Sequence, residues 1–280
     1  MSYTTRFAPS PTGYLHLGHA ASALAVWSAA RAAGGAVLLR LEDIDQTRCR
    51  PEYEAAILED LRWLGLEWQG DVRRQSEHFD DYGAVLEALR ARGLIYRCFR
   101  TRKEVLEEIG RAPHSAPVAF CSEPLPASVE AERLASGEAF AWRLSLARAR
   151  EALGSVYDAL GYIELGEAGE RFVKAAPELH GDVVLARKDT PTSYHLAVTH
   201  DDALQGVTHI VRGEDLRGST DIHVLLQALM NWPQPIYTHH ALMVDATGKR
   251  YAKRDKSMTL RAMRAAGQSA EDIRAQIGAL

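Results

Sequence analysis

Two imidazoles stand close to a glycine in the stretch PSPTGYLHLGH, as His16, Gly18 and His19. A second stretch, GKRYAKRDKS at 248–257, crowds Lys249, Arg250, Lys253, Arg254 and Lys256 around one Gly, one Tyr and one Asp. A pair of imidazoles on one rim suits donation of hydrogen bonds to phosphate oxygens as charge builds on them. Glycine at position 18 lets the backbone approach a nucleotide closely. A single histidine here would read as a helix cap or a packed side chain. Two at this spacing behind a Pro-Ser-Pro-Thr-Gly turn point instead to phosphate. The basic run stays open between a solvated charge cluster, the commoner case, and a loop that holds phosphate.

Such residues need elements to carry them. YTTRFAPSP reads as a short strand that must stop at Pro9 and Pro11, because proline lacks the ladder N–H. LHLGHAASALAVWSAARAAGG follows as an alanine-rich buried helix, stopped by Gly34 and Gly35. AVLLRLEDID is near-continuously apolar, as a strand covered on both faces of a parallel sheet should be. Strand, helix and strand make a βαβ unit, and the two histidines fall at its first strand-to-helix turn, where a doubly wound sheet docks anionic ligands. Pro51 opens a further helix, and Ser76 is expected to cap another that ends near Gly93.

The fold class expected is α/β, a doubly wound parallel sheet with an inserted α+β subdomain. Residues 1–96 form the first half of the sheet domain and 97–176 the insertion, whose proline-containing loops and short helices break the pattern. Residues 177–240 resume the sheet through GDVVLAR, SYHLAV and THIVRGED, a helix from about Thr220 to Met230, and PIYTHHALMV. Residues 241–280 hold the basic loop and a terminal helix opened by Ser269 and Asp272.

Composition bounds the function. The chain has 280 residues, 46% hydrophobic and 25% charged, ordinary for a globular protein, and 33 Lys plus Arg against 37 acidic residues give a net charge of −4. A uniformly basic nucleic-acid coat is thereby excluded, a local basic patch is not. Cys49, Cys98 and Cys121 are an odd set without framework spacing, which suits a reducing compartment. No signal-peptide core opens the chain, and no run approaches the roughly 18 apolar residues of a membrane span. The expected location is cytoplasmic, with no membrane partner.

RFAPSPTGYLHLGH resembles the HIGH signature of class I aminoacyl-tRNA synthetases in the form used by their glutamyl branch. RLEDID, DQTR at 45–48, the block YHLAVTHDDALQGVTHIVRGEDLRGST, and AKRD near the C-terminus resemble that branch in the same order. The resemblance is weakest over 105–180. RYAKRD at 250–255 resembles the branch's KLSKRD form of the KMSKS signature, with Arg250 in place of lysine and Ala252 in place of serine. A second register sets KRDKS against KMSKS, and Lys253 is a signature lysine in both.

The resemblance implies a Rossmann-type class I catalytic domain that activates L-glutamate with ATP and Mg2+. His16, His19 and Lys253 would be catalytic, and Pro9, Gly18 and Arg250 would join them in binding ATP. Arg6, Phe7, Ala8, Pro9, Ser10, Tyr194 and Arg212 would line the glutamate pocket, with Glu42 accepting the substrate ammonium. Arginine suits the carboxylates because its planar fork makes two charge-assisted bonds. This chain ends soon after Lys256, and short members of the branch, which lack an anticodon-binding domain, esterify glutamate to the queuosine base in the anticodon of tRNA(Asp). That tRNA, carrying queuosine, is the implied partner. The alternatives are a short glutamyl-tRNA synthetase acting with a partner, a small HxGH nucleotidyltransferase, and a catalytically silent RNA-binding relative. Arg97, Arg100, Arg102 and Lys103 are candidate contacts to RNA phosphates, weighed against a solvated helix face.

Many relatives carry a zinc site of a Cys-x-Cys pair followed by Tyr and Cys. Here Cys98 and Cys121 remain as remnants, but Arg100 occupies the second cysteine position, and arginine offers neither thiolate nor imidazole. Zinc is not expected, even with His114 nearby. Metal analysis of the purified protein should find well under one zinc per chain.

Overall fold

The computed structural model describes residues 2–101, 103–105, 107, 120–243 and 258–278. Strand β1 (Thr4–Phe7) runs parallel to β2 (Ala36–Leu41), with Thr4 opposite Ala36 and Phe7 opposite Leu39, and β2 runs parallel to the two-residue β3 (Arg73–Arg74). Helix α1 (Leu17–Ala32) makes the first crossover and lays Ala20, Ala23, Val26 and Ala30 onto the sheet. The small alanines let the helix sit close. The turn behind it is as tight as Gly34 and Gly35 suggest. Gly34 takes a φ of 61°, and a Cβ on Gly35 would collide with the carbonyl oxygen of Tyr3, the residue before β1.

Helix α2 (Pro51–Trp63) has proline at its first position, as expected. Helix α3 (Phe79–Ala91) does not start as expected: no side chain caps it, and Ser76 sits in a single 3-10 turn with its hydroxyl donating to Asp43. Asp43, just past β2, accepts from both the hydroxyl and the amide of Ser76 and so fixes that residue in the turn ahead of the helix.

An antiparallel sheet follows, built from β4 (Ile95–Cys98), β5 (Ala141–Leu144) and β8 (Val184–Ala186). Between these strands lie α4 (Ala127–Ala135), α5 (Leu146–Leu153), the one-turn α6 (Ser155–Asp158), and a hairpin of β6 (Gly161–Gly166) and β7 (Gly169–Lys174). The hairpin lies inside the stretch 97–176. It nevertheless joins the parallel sheet, because β6 pairs with β10 (Ile236–His240) at Glu164 and Tyr237.

SYHLAV is helix rather than strand. Ser193 accepts a hydrogen bond from the Leu196 amide and opens α7 (Tyr194–Leu204), whose mix of buried polar and apolar residues hides its period. Strand β9 (His209–Gly213), helix α8 (Ser219–Met230) and β10 complete a second parallel crossover. Thr208 fastens it to the first: its amide donates to the Thr4 carbonyl at 2.9 Å, and the Thr4 amide donates to its hydroxyl at 2.9 Å. At the C-terminus, α9 (Leu260–Ala265) precedes α10 (Ala270–Gly278), and Ser269 and Asp272 bond reciprocally as a capping box.

Asp60 is the one buried carboxylate on α2, with both oxygens lacking a hydrogen-bond partner and Arg264 of α9 at 3.9 Å. Burial pushes it up to about 6 against the pull of Arg264. A carboxyl raised in the folded state is bound by more protons there than in the unfolded chain, so its ionisation costs stability as pH rises from 4 through 6. Asp60→Asn should therefore be more stable than the natural chain by about 2 kcal/mol at pH 8, and the gain should vanish below pH 4, in denaturant titrations at both pH values.

Candidate active site

The carboxyl ends of β1, β2, β9 and β10 open onto one cavity of about 860 Å3. Arg6 and Phe7 reach it from β1, and Ala8, Pro9 and Ser10 from the turn that follows. His16, Gly18 and His19 reach it from the start of α1, Glu42 from just past β2, Tyr194 from the first residue of α7, and Arg212 from β9. Every expected residue among those described is thus brought to one crevice. Lys253, Arg250 and Ala252 lie outside the described residues. The chain on either side of them is placed: Met243 lines the cavity, and Thr259 forms a backbone bridge with His16, beside a 2.9 Å bond from the Leu260 amide to the Leu15 carbonyl.

The two histidines begin as caps. His16 Nδ1 accepts from the Gly18 amide at 3.1 Å, and His19 Nδ1 accepts from the His16 amide at 3.2 Å. An imidazole whose Nδ1 accepts carries its hydrogen on Nε2 when neutral. The cap therefore selects the tautomer whose far nitrogen is a donor, so the packing role and the expected phosphate contact are compatible.

The two arginines differ in what holds them. Arg6 Nε donates to Asp202 Oδ1 at 2.9 Å, so a carboxylate of the protein already balances it. Arg212 is 4% exposed and has no carboxylate within 4 Å among the described residues. Its Nη2 donates to Thr220 Oγ1 at 2.6 Å, Nη1 to His223 Nδ1 at 3.3 Å, and Nε to His239 Nε2 at 3.3 Å. The Tyr237 ring lies 5.4 Å from the guanidinium carbon. A cation buried among neutral partners is a receptor for an anion. Burial pushes Glu42 up against the pull of Arg40 and Arg6, so a cation arriving beside it would be welcome there. Burial likewise raises the Tyr194 hydroxyl to about 12 and lowers the cavity-lining His195 to about 4, keeping both neutral.

Beneath the cavity lies a charge network that reading the sequence missed. Arg40, fully buried in β2, donates to Asp202 Oδ1 at 2.8 Å and to Gln205 at 3.0 Å, with Glu42 at 3.6 Å and Asp201 at 4.0 Å. Asp201 accepts from Gln75 at 3.0 Å and Tyr82 at 2.9 Å, and Arg73 lies at 3.0 Å. Burial alone would raise Asp201, but the bond from His200 and the charges of Arg40 and Arg73 hold it at about 2. The available signal was Arg40 itself, since a charge inside an apolar strand demands a buried counter-charge.

The cations considered for RNA that lie among the described residues have partners in the protein. Arg97 pairs with Glu130 and packs 4.6 Å from the Trp142 ring, and Lys103 stands 3.8 Å from Glu107. Arg102 and His114 lie outside the described residues. Cys98 is buried on β4, Cys121 is exposed, and the Arg100 guanidinium lies 5.5 Å over the Phe120 ring. A guanidinium in that position has no lone pair for a metal, so this donor set does not fit the relatives' zinc site.

The model of the tRNA synthetases class I (E and Q), catalytic domain, matches residues 2–278. The chain belongs to this family. Among its class I relatives, a glutamyl-Q tRNA(Asp) synthetase of Rhodobacter capsulatus is 46% identical over 279 residues, which cover 98% of this chain and 99% of that protein. A glutamate–tRNA ligase 2 of Dinoroseobacter shibae is 38% identical over 272 residues, 94% of this chain and 58% of that one. A solved glutamate tRNA ligase from Elizabethkingia meningosepticum, crystallised with its amino acid, superposes with a TM-score of 0.72 at 28% identity, and this chain spans about half of it, 52%. The expected fold class, a class I α/β catalytic domain, is borne out, and the protein is a ligase-type enzyme of the class I synthetases. Among the described residues no helix is long and apolar enough to cross a membrane.

Asp202 is the shared counter-charge of Arg6 and Arg40 in this synthetase site. Asp202→Ala should cost about 3 kcal/mol of stability by leaving buried guanidinium charge uncompensated, read from the shift of the denaturant midpoint.

Proposed function

We propose that this protein activates L-glutamate with ATP and transfers it to the queuosine base in the anticodon of tRNA(Asp), in the cytoplasm. The observation that carries the amino-acid half is Arg212, a buried guanidinium held among the described residues by neutral groups and facing the same cavity as Glu42. One end of that cavity suits a carboxylate and another an ammonium. The transfer half is supported by the 46% identity to the glutamyl-Q tRNA(Asp) synthetase of Rhodobacter capsulatus.

In this reading Arg6 and Arg212 take the substrate carboxylates, Glu42 takes the ammonium, and Phe7 to Ser10 and Tyr194 shape the pocket. ATP enters as its magnesium complex, the metal offsetting phosphate charge. The Nε2–H groups of His16 and His19 donate to phosphate oxygens, Gly18 admits the nucleotide to the helix N-terminus, and the charges of Lys253 and Arg250 offset those of the phosphates. An oxygen of the glutamate α-carboxylate attacks the α-phosphorus, the bond from that phosphorus to the β-phosphate bridge breaks, and pyrophosphate leaves. A hydroxyl of the queuosine cyclopentenediol then attacks the carbonyl carbon of the mixed anhydride. AMP departs, the hydroxyl proton is released, and the ester remains. No protein nucleophile takes part, so positioning and charge stabilisation carry the rate. We assign residues 1–96 and 177–240 to the catalytic domain, joined there by the β6–β7 hairpin through its pairing with β10, the remainder of 97–176 to an inserted acceptor-binding-like subdomain whose sheet β8 completes, and 241–280 to the phosphate loop and terminal helices.

A second reading, a glutamyl-tRNA synthetase that works with a partner, is favoured by the 38% identity to the Dinoroseobacter shibae ligase. Incubation with labelled glutamate, ATP and either tRNA(Asp) with or without queuosine or tRNA(Glu), followed by nuclease digestion, separates the two. Label should appear in the anticodon fragment of queuosine-containing tRNA(Asp) alone. Label at a 3′ end would establish the second reading instead, and Lys253→Ala should abolish either transfer.

A further inference from the structure

The partners of Arg212 form a chain of fixed proton positions. Glu164 on β6 accepts from His239 Nδ1 at 2.8 Å, and Glu164 also takes Arg171 at 2.5 Å and Arg217. Burial would raise Glu164, but the bonds from His239, Arg171 and Arg217 hold it at about 2, a permanent carboxylate. A carboxylate only accepts, so the His239 hydrogen must sit on Nδ1, and Nε2 is left as an acceptor. A guanidinium only donates, so Nε2 receives Arg212 Nε, and the Thr220 hydroxyl lies 3.3 Å from the same nitrogen. On the other side Arg212 Nη1 likewise obliges His223 Nδ1 to accept. The His223 hydrogen then falls on Nε2, which meets His195 Nδ1 at 3.4 Å. Burial lowers His239 and His223, so both rings stay neutral.

The negative charge of the network is thus kept on Glu164, one imidazole away from the guanidinium. Had Glu164 touched Arg212 directly, as Asp202 touches Arg6, a substrate carboxylate would meet a balanced pair. With a neutral ring between them, the orientation is passed on and the charge is not.

We propose that His239 is a positioning residue for Arg212: Glu164 fixes its tautomer, and its Nε2 aims the guanidinium while leaving the positive charge for a substrate carboxylate, so that the site selects an acid over its amide. The proposal rests on the glutamate reading above and adds residues that do not line the cavity. It makes β6, from within the 97–176 stretch, part of amino-acid selection.

The test uses glutamate-dependent exchange of pyrophosphate into ATP with the full chain and with His239→Leu, His239→Gln, Glu164→Gln and Arg171→Gln. His239→Leu and Glu164→Gln should each raise the KM for glutamate about tenfold, leave the KM for ATP within about twofold, and shrink the preference for glutamate over glutamine about tenfold. His239→Gln, whose amide oxygen can accept from Arg212, should recover most of the loss, and Arg171→Gln, which trims Glu164 on its solvent side, should behave as the natural chain. Nitrogen-15 histidine spectra of the natural protein should show the His239 hydrogen on Nδ1, identified by the signal lost in His239→Gln. A hydrogen on Nε2, or equal changes in both KM values with no rescue by glutamine, would overturn the proposal. Absence of exchange in the natural protein would overturn the glutamate reading alone, and the nitrogen spectra would still decide the relay.

Discussion

The crevice is organised around a positive charge that meets no carboxylate among the described residues. Burying a guanidinium without a carboxylate costs several kcal/mol, and a fold tolerates this only where the surrounding acceptors are well aimed and something is gained on binding. Arg212 meets that condition with three neutral acceptors and an aromatic face. Arg6, on the neighbouring strand, shows the opposite solution, a direct carboxylate from Asp202. The contrast makes one arginine a structural member of the network that also faces the cavity, and the other a buried cation with no carboxylate in contact among the described residues.

That arrangement needs strand ends in register to within an ångström or so. The Thr208 bonds to β1 hold the two crossovers side by side, and the close pass of Gly35 under Tyr3 sets how tightly the first one turns. Arg40 then rivets β2 to α7 through Asp202, while Asp201 on the same helix gathers Gln75, Tyr82 and Arg73 from the next crossover. Polar networks of this kind are high-stakes, because a near-neighbour packing would leave more of their buried charges unmatched; even here Arg40 Nε and Arg73 Nε lack a hydrogen-bond partner. Here the packing that is favoured is the one that points Arg6, Glu42 and Arg212 into the same space.

Much of the frame was legible in the chain because its signals are local. Prolines 9 and 11 end a strand, Pro51 starts a helix, and Gly34 with Gly35 closes one, each through backbone geometry that depends on no distant partner. The βαβ reading around His16 and His19 follows from those signals. SYHLAV was misread because its alternating apolar and polar residues imitate a strand, whereas tertiary packing and the Ser193 cap decide for helix. The β6–β7 hairpin escaped notice because β7 is mostly exposed and its charges mask alternation. In the site, the histidines, glycine and arginines were readable by type and place. Their supports were not: Asp202 lies 196 residues from Arg6, and Glu164 lies 75 residues from His239. Contacts at such separations leave no spacing to read. A buried charge such as Arg40 says only that a partner exists, without saying where.

The bridge between His16 and Thr259 also has a polymer meaning. It places one fixed point of the chain on the phosphate rim, and Lys253 is six residues from that point by sequence, so about 20 Å of chain at most separates them. An ammonium confined to a sphere of that radius is present at an effective concentration in the millimolar range, whatever the dilution of the protein. In the proposed reading its encounter with a bound triphosphate is therefore intramolecular in its statistics. Changing the number of residues between 253 and 259 would alter that local concentration without touching a single contact in the crevice.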